Sequence, residues 1–215
     1  MNNTLNEVKK VYKEKKKQIT ARLAEFRAKW ENGSDIEVLS ELVFCILTPQ
    51  SKAKGCWACV ENILKKDLLL FGSEKQILNE LTFARFKYKK AKYLVEARDK
   101  FVKNGKAEIK KFMRGFKDVY SMREWFVKNI KGYGYKEASH FLRNVGFGDD
   151  IAILDRHILR NLKWLGVINK VPESLNSKKY LETEQKMKKF AKKIKISMAS
   201  LDLILWAKET GEVFK

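Results

Sequence analysis

The sequence predicts an all-α protein, on three observations. Apolar side chains recur every three or four positions along most of the 215 residues, as they do on the buried face of a helix. No run of five or more residues shows the apolar–polar alternation of a half-buried strand. The pattern Ser-x-x-Glu/Gln, which marks a helix start, begins at Ser34, Ser73 and Ser121. Hydrophobic residues make up 45% of the chain, enough for one buried core or for two lobes that share one.

The N-terminal third is predicted to form three helices. The first covers residues 4–31, and the capping box at Ser34 begins the second. The second helix must break near Thr48, because Pro49 disfavours helical geometry at the residue before it. Gln50 then lies in a polar corner, LTPQS, after which a third helix starts.

The capping box at Ser73 predicts a short helix, and the one at Ser121 predicts the first helix of a helical hairpin. Between them, residues 83–101 interleave aromatic and cationic side chains, which suits a nucleic-acid groove because rings stack on bases and cations meet phosphates. Aromatic residues at helical spacing also pack in cores, so this composition leaves both interpretations open. Residues 104–119 are predicted to form a basic, partly helical link. Two amphipathic helices close the chain, around residues 180–194 and 199–208, with Gly211 as the stop of the second.

The strongest functional pattern lies between residues 126 and 162. Gly132 and Gly134 flank a tyrosine in a tight turn between two predicted helices, where a missing Cβ lets the backbone approach a ligand closely. The amides that open the second helix point outward with the positive end of its dipole behind them, as a phosphate site requires. An ordinary turn between helices has the same glycines, so the turn alone does not decide its function.

Two polar residues follow the turn at a specific spacing. Lys136 lies in the first turn of the second helix, where a cation is unfavourable because it opposes the helix dipole. A lysine at this unfavourable position suggests a functional role. Asp155 comes 19 residues later, after an apolar run and directly before another predicted helix. Alone, Lys136 fits an exposed surface lysine and Asp155 fits a helix N-cap. An aspartate in that capping position can also serve catalysis, because the cap fixes its orientation.

This hairpin, with Lys136 and Asp155 at this spacing, closely resembles the signature of the helix-hairpin-helix (HhH-GPD) DNA glycosylase superfamily. The segments KGYGYKEASHFLRN and AILDRHILR are similar to the compact second class of 8-oxoguanine DNA glycosylase/AP lyases. The resemblance implies a two-lobed all-α fold, with a central lobe at 36–148 and a second lobe from 1–35 plus 149–215. It also implies DNA in the cleft between the lobes. The cysteine-rich C-terminal tail that holds an iron–sulfur cluster in endonuclease-III-like relatives is absent, so no such cluster is expected.

The resemblance further implies catalytic roles. Lys136 is expected to attack the sugar C1′ as a neutral amine and to form a Schiff base, after which β-elimination breaks the strand. Asp155 is expected to stabilise the positive charge that develops on the sugar. Gly132, Gly134 and His157 are expected to contact the DNA backbone.

Four residues are implied in reading the lesion. Phe86, in the pattern RFxxKKAxY, resembles the phenylalanine that stacks on the damaged base, and Trp206 matches the tryptophan of the base pocket. Lys215 matches a C-terminal lysine that helps to recognise the oxidised purine. Gln50 is a candidate plug for the space left by the flipped base. Residue type alone would place Gln50 in solvent, Trp206 in the core and Lys215 in a frayed end.

Charge and composition limit the partners. The net charge of +20 favours a polyanion, with nucleic acid preferred over a membrane surface, and the expected substrate is double-stranded DNA that contains oxidised guanine. The sequence lacks a signal peptide and an apolar run of about 20 residues, so an intracellular location without membrane contact is expected.

No metal site or cofactor is predicted, although the hairpin is a candidate site for a monovalent cation. Cys45, Cys56 and Cys59 are expected to be small core residues rather than a disulfide framework. A monomer is expected.

Two alternatives remain at this point. A glycosylase/lyase for another oxidised base would show the same motif, and a noncatalytic helix-hairpin-helix module would share the hairpin and the charge.

Overall fold

The computed structural model describes residues 3–215, which are largely helical, and it confirms the predicted all-α class. Its helices are α1 (Asn3–Glu31), α2 (Asp35–Leu47), α3 (Ala53–Lys65), α4 (Leu68–Phe71), α5 (Glu74–Glu80), α6 (Lys87–Phe101), α7 (Ile109–Met113), α8 (Val119–Asn129), α9 (Tyr135–Asn144), α10 (Arg156–Trp164), α11 (Ser177–Ile194) and α12 (Met198–Thr210). None of these described helices combines the length and the apolar character that crossing a membrane requires.

A small hairpin interrupts the helices after α6. The strands β1 (Val102–Lys103) and β2 (Lys106–Ala107) pair antiparallel, with Val102 opposite Ala107. Asn104 and Gly105 connect them, both with positive φ (49° and 72°), as a tight two-residue β-hairpin turn requires. With two residues in each strand, the hairpin is too short to show the alternation that sequence patterns detect.

The chain divides into two compact units, Met1–Ala28 with Leu142–Lys215, and Lys29–Phe141. The division inferred from the sequence, at 35/36 and 148/149, stays a prediction. The unit formed by Lys29–Phe141 is centred on α2, in which every residue from Val38 to Leu47 is buried. Helices α3, α6 and α7 pack against α2. A cluster of aromatic rings extends this core: Phe101, Phe112, Trp125 and Phe126.

The other unit is built on α12. Every residue of this helix from Met198 to Leu205 is buried, and α10 and α11 pack against it. Asp155 begins α10 and Trp206 lies near the end of α12, so two predicted site residues belong to packed helices of this unit.

Two of the three predicted capping boxes are confirmed, and the third is wrong. Ser34 and Ser73 each accept the backbone N–H three residues on, and the Glu or Gln at that position bonds back to the serine amide. The α8 helix begins earlier than predicted, because Asp118 is its N-cap and accepts the amide of Ser121 at 2.8 Å. Aspartate caps a helix as well as serine does, and it comes three residues earlier in the chain. Ser121 therefore lies inside the first turn.

Candidate active site and DNA-contacting residues

The predicted hairpin is present, with α8 and α9 joined by a short turn. Gly132 has a φ of 81°, and a Cβ there would lie 2.9 Å from the ring of Tyr93. The positive φ and the close contact with Tyr93 both make any larger side chain at this position energetically costly. Between the glycines, Tyr133 is buried and its hydroxyl donates to the carbonyl of Leu42 at 2.8 Å, which anchors the turn to α2. Burial raises the pKa of Tyr133 well above its ordinary value, so this hydroxyl keeps its proton.

Lys136 lies in the first turn of α9, as predicted. Its amine is 2.9 Å from a carboxylate oxygen of Glu137, and 31% of its side-chain surface is exposed. The second oxygen of Glu137 accepts the amide of Gly134 at 3.0 Å. One carboxylate therefore contacts both the predicted nucleophile and the turn, and it already occupies one of the amides predicted to meet phosphate.

Sequence reasoning did not single out Glu137. The available signal was an acidic side chain at the third helical position after Gly134, which is the second half of a capping box without its serine.

Gln50 and Phe86 lie on neighbouring turns of the same unit. Each is exposed, and each has the left-handed φ of 57° that is uncommon for residues other than glycine. Phe86 precedes the first residue of α6, and the guanidinium of Arg85 lies over its ring. The amide of Arg85 donates to Ser51 Oγ at 2.9 Å, so a hydrogen bond joins the turn that holds Phe86 to the corner that holds Gln50.

Asp155 is the N-cap of α10 in the second unit. Its carboxylate accepts the amide of Ile158 at 2.8 Å, which fixes the direction of the side chain. The segment before it is buried and held by side chains of α11: the amide of Ala152 donates to Glu184 and its carbonyl accepts the hydroxyl of Tyr180. Asp155 therefore has the capping role that its position predicts. The segment that precedes it is held by hydrogen bonds to α11, and the helix that follows it is capped by its carboxylate.

His157 and Trp206 lie together in the same unit. Their rings meet edge to face with centroids 5.4 Å apart. His157 Nδ1 is 3.3 Å from Glu209 and 2.9 Å from the guanidinium of Arg160. The other oxygen of Glu209 accepts the side-chain amide of Asn161 at 2.9 Å, so Glu209 holds α10 against α12. Trp206 is half-buried rather than a core residue.

Lys215 ends a short tail after α12. Gly211 has a φ of 79° and closes the helix, as predicted. Lys15 donates to the carbonyl of Gly211 at 2.8 Å, which attaches the start of the tail to α1. Lys215 itself is half-buried.

A further carboxylate, Asp202, is buried on α12. Burial raises its pKa to about 6, against the opposing effect of Arg143, whose guanidinium is 3.5 Å away, and with a small addition from Asp155.

The described residues 3–215 contain no group of three or more His, Cys, Asp or Glu side chains placed to bind a metal ion. All three cysteines are free thiols and fully buried, which agrees with their expected core role.

Comparison with known proteins identifies the family. The profile of the family "8-oxoguanine DNA glycosylase" matches residues 19–196. The 8-oxoguanine DNA glycosylase/AP lyase of Fusobacterium nucleatum is 51% identical over 214 residues, which cover 100% of this chain and 99% of the relative. That of Methanocaldococcus jannaschii is 41% identical over 197 residues, which cover 92% of this chain and 91% of the relative.

Solved structures agree with the fold. The crystal structure of the 8-oxoguanine DNA glycosylase of Thermotoga maritima matches with a TM-score of 0.87 and 34% identity, covering 98% of both chains. The M. jannaschii glycosylase/lyase in complex with a 15mer DNA containing 8-oxoguanine matches with a TM-score of 0.86 and 37% identity, again over 98% of both chains. The chain belongs to the 8-oxoguanine DNA glycosylase family, as its hairpin and its lysine–aspartate spacing predict.

Proposed function

We propose that this protein removes 8-oxoguanine from double-stranded DNA and then cleaves the abasic strand. Family membership over most of the chain carries the proposal, and it confirms the predicted enzyme class of DNA glycosylase with AP lyase activity. The relatives from F. nucleatum and M. jannaschii bear the name of this double activity.

Lys136 is the proposed nucleophile. A base inside a duplex shields its C1′, so the nucleotide is first flipped out of the stack. The neutral amine then bonds to C1′ while the glycosidic bond breaks, and the base leaves with the bonding electron pair and takes up a proton. The sugar ring then opens: the nitrogen lone pair forms the C=N bond as the C1′–O4′ bond breaks, and O4′ takes up the remaining proton of the amine. The resulting imine acidifies the C2′ hydrogens. Loss of one of them as a proton breaks the bond between C3′ and its oxygen, which releases the 3′ strand by β-elimination.

The Lys136 amine is paired with Glu137, at 2.9 Å. The amine must lose a proton before it attacks, and the ion pair has to open for its lone pair to reach the sugar. Approach of the DNA phosphates would compete with Glu137 for the hairpin, since the carboxylate also occupies the Gly134 amide.

Asp155 is the proposed electrostatic partner of this reaction. Its charge would stabilise the cationic sugar in the transition state, where a fixed anion does most for the rate. The hydrogen bond from Ile158 supports this role, because a carboxylate already aimed by its cap needs little reorganisation.

Gly132, Gly134 and His157 are proposed to hold the DNA backbone. For His157, the contacts of Nδ1 with Glu209 and Arg160 support this role, because they fix the direction of the ring. The net charge of +20 adds a general attraction to DNA that weakens as salt rises.

Phe86, Trp206 and Lys215 are proposed to read the flipped base, and Gln50 to fill its place in the stack. The exposure of Phe86 (55%) and Gln50 supports contact with a ligand, because both side chains are accessible from solvent. We further propose that the protein acts as an intracellular monomer without a cofactor, with a monovalent cation as a candidate ligand of the hairpin.

Borohydride trapping tests the proposal. Reduction of the imine on a duplex with 8-oxoguanine should join protein and DNA covalently, and Lys136→Gln should abolish the adduct. Lys131→Gln is the matched control, since it removes an exposed lysine of the same hairpin that pairs with Glu96. An adduct that persists in Lys136→Gln would exclude this nucleophile. Equal cleavage of 8-oxoguanine and thymine-glycol duplexes would instead contradict the proposed lesion.

A further inference from the structure

Lys90 is a buried cation in the first turn of α6, with only 5% of its surface exposed. Its amine donates to the carbonyl oxygens of Leu47 and Pro49, at 2.6 and 2.8 Å, and to Ser51 Oγ at 3.1 Å. These three acceptors surround Gln50 on both sides in the chain. All three donors of the ammonium group are therefore used on the corner that carries the candidate plug.

The same lysine also belongs to the turn that carries Phe86. Its backbone amide donates to the carbonyl of Phe86 at 3.1 Å. Ser51 Oγ, which Lys90 contacts, accepts the amide of Arg85 at 2.9 Å. A short chain of hydrogen bonds thus runs from the backbone beside Gln50 through Lys90 to the backbone of Phe86.

Both connected positions have strained backbones. A left-handed φ in a residue other than glycine persists only where the surroundings hold it. Lys90 supplies that support on the Gln50 side by satisfying two carbonyls of the corner at once. Burial lowers the pKa of Lys90, because desolvation disfavours its charged form. An apolar side chain there would avoid that cost but would remove one hydrogen-bond donor from each of the three acceptors.

We propose that Lys90 is a positioning residue for lesion reading: it sets Gln50 and Phe86 at a fixed spacing before DNA binds. This inference rests on the proposed function, since it assumes that the corner and the turn act on a flipped base and on the gap that it leaves. Lys90 itself touches neither the sugar nor the base in this role.

The inference separates the two steps of the reaction. Excision of 8-oxoguanine requires that the base be flipped out and stacked on Phe86, and that Gln50 fill the space it leaves in the duplex. Excision therefore depends on both residues. A preformed abasic site has already lost its base, so imine formation there does not depend on base recognition. Loss of Lys90 should consequently slow excision far more than trapping at an abasic site, whereas a general loss of structure would slow both.

The test compares single-turnover excision at saturating protein with borohydride trapping on a preformed abasic duplex. Lys90→Met is expected to slow excision by about 100-fold, the loss typical of a small misplacement of positioning groups. Trapping should change far less, by no more than the electrostatic effect of removing one cation that interacts with Lys136 and Glu137. Lys92→Met is the matched control, because Lys92 lies on the same helix and is exposed. Equal losses in both assays by a folded Lys90→Met variant would overturn the inference.

Ser51→Ala provides the second test if Lys90→Met does not fold, as thermal unfolding would reveal. It removes the acceptor shared by Lys90 and the Arg85 amide with a change of one atom. Slower excision with unchanged trapping is expected again, by a smaller factor, and unchanged excision would overturn the inference. Wild-type protein that fails to excise 8-oxoguanine would refute the proposed function instead, so the two failures are distinguishable.

Discussion

The amine of Lys136 lies 2.9 Å from the carboxylate of Glu137, its neighbour in the first turn of α9. Glu137 also accepts the Gly134 amide, so the ion pair is built into the hairpin rather than left to a mobile surface side chain. The free protein therefore holds the Lys136 amine in a fixed ion pair, which must open before the amine can meet another group.

Replacing Glu137 by Gln is expected to accelerate trapping at a preformed abasic site at neutral pH by up to about fivefold, because a partly exposed ion pair contributes up to about 1 kcal/mol. Glutamine can still accept the Gly134 amide at this capping position, so α9 should begin at the same residue. Loss of the negative charge releases the Lys136 amine from its ion pair. Glu96→Gln, which uncouples the exposed Lys131, is the control and should leave the rate unchanged. A slower Glu137→Gln enzyme would show instead that this carboxylate takes the proton from the amine.

Two substitutions at Asp155 separate its capping role from its charge. Asp155→Asn keeps an acceptor for the Ile158 amide and should retain stability, while excision falls by about 100-fold or more without the anion. Asp155→Ala should lose the activity and also about 1 kcal/mol of the free energy of unfolding.

Asn176→Ala is the control for this pair, because Asn176 caps α11 in the same way. It should lose a similar stability, measured by urea unfolding, and keep its activity. Full activity in Asp155→Asn would remove the charge from the mechanism.

Tyr133→Phe is expected to lower the free energy of unfolding by about 1 kcal/mol. The substitution removes the side-chain donor to the buried carbonyl of Leu42 and loosens the turn between the two glycines. Tyr88→Phe, at a residue that is 70% exposed, should change stability by less than about 0.5 kcal/mol. Urea unfolding of the three proteins measures both, and equal stabilities would mean that the hydroxyl does not anchor the hairpin.

Asp202 should make stability depend on pH. Its pKa is about 6 in the folded protein and 3.8 ordinarily, so across that interval the folded state holds a proton that the unfolded state has lost. Stability therefore falls as the pH rises through this window, and it levels off above the folded pKa. As the pH rises over this range, wild type should lose stability relative to Asp202→Asn by an amount on the order of a few kcal/mol.

Denaturant unfolding at several pH values measures this difference. Asn176→Ala, which removes a neutral side chain, should show no such trend. A difference that stays constant between the two pKa values would mean that Asp202 titrates normally in its buried site.

The helices and the central motif were predictable because their signals are local. Ser34 and Ser73 mark helix starts through contacts within four residues, and the hairpin is a contiguous pattern. The start of α8 was placed wrongly because Asp118 and Ser121 are both acceptable caps, and local sequence does not rank them.

The supporting contacts were harder to predict because they join distant parts of the chain. Lys90 meets acceptors more than 38 residues away, the carbonyls of Leu47 and Pro49 and the hydroxyl of Ser51. Nothing in the spacing of α6 distinguishes it from its exposed neighbour Lys89. Glu209 likewise meets Asn161 across 48 residues. Such pairs become visible only when the fold brings their elements together.

The burial of the three cysteines keeps their sulfur atoms away from oxidants in solution. A thiol reacts with peroxide as the thiolate, and burial raises the pKa of Cys56 to about 11 despite the nearby charge of Lys90. Its sulfur also donates to the carbonyl of Leu47, inside the corner that holds Gln50. The lesion in the family's name is itself produced by oxidants, so a protein with buried thiols can keep the corner that holds Gln50 intact under the conditions that generate this lesion.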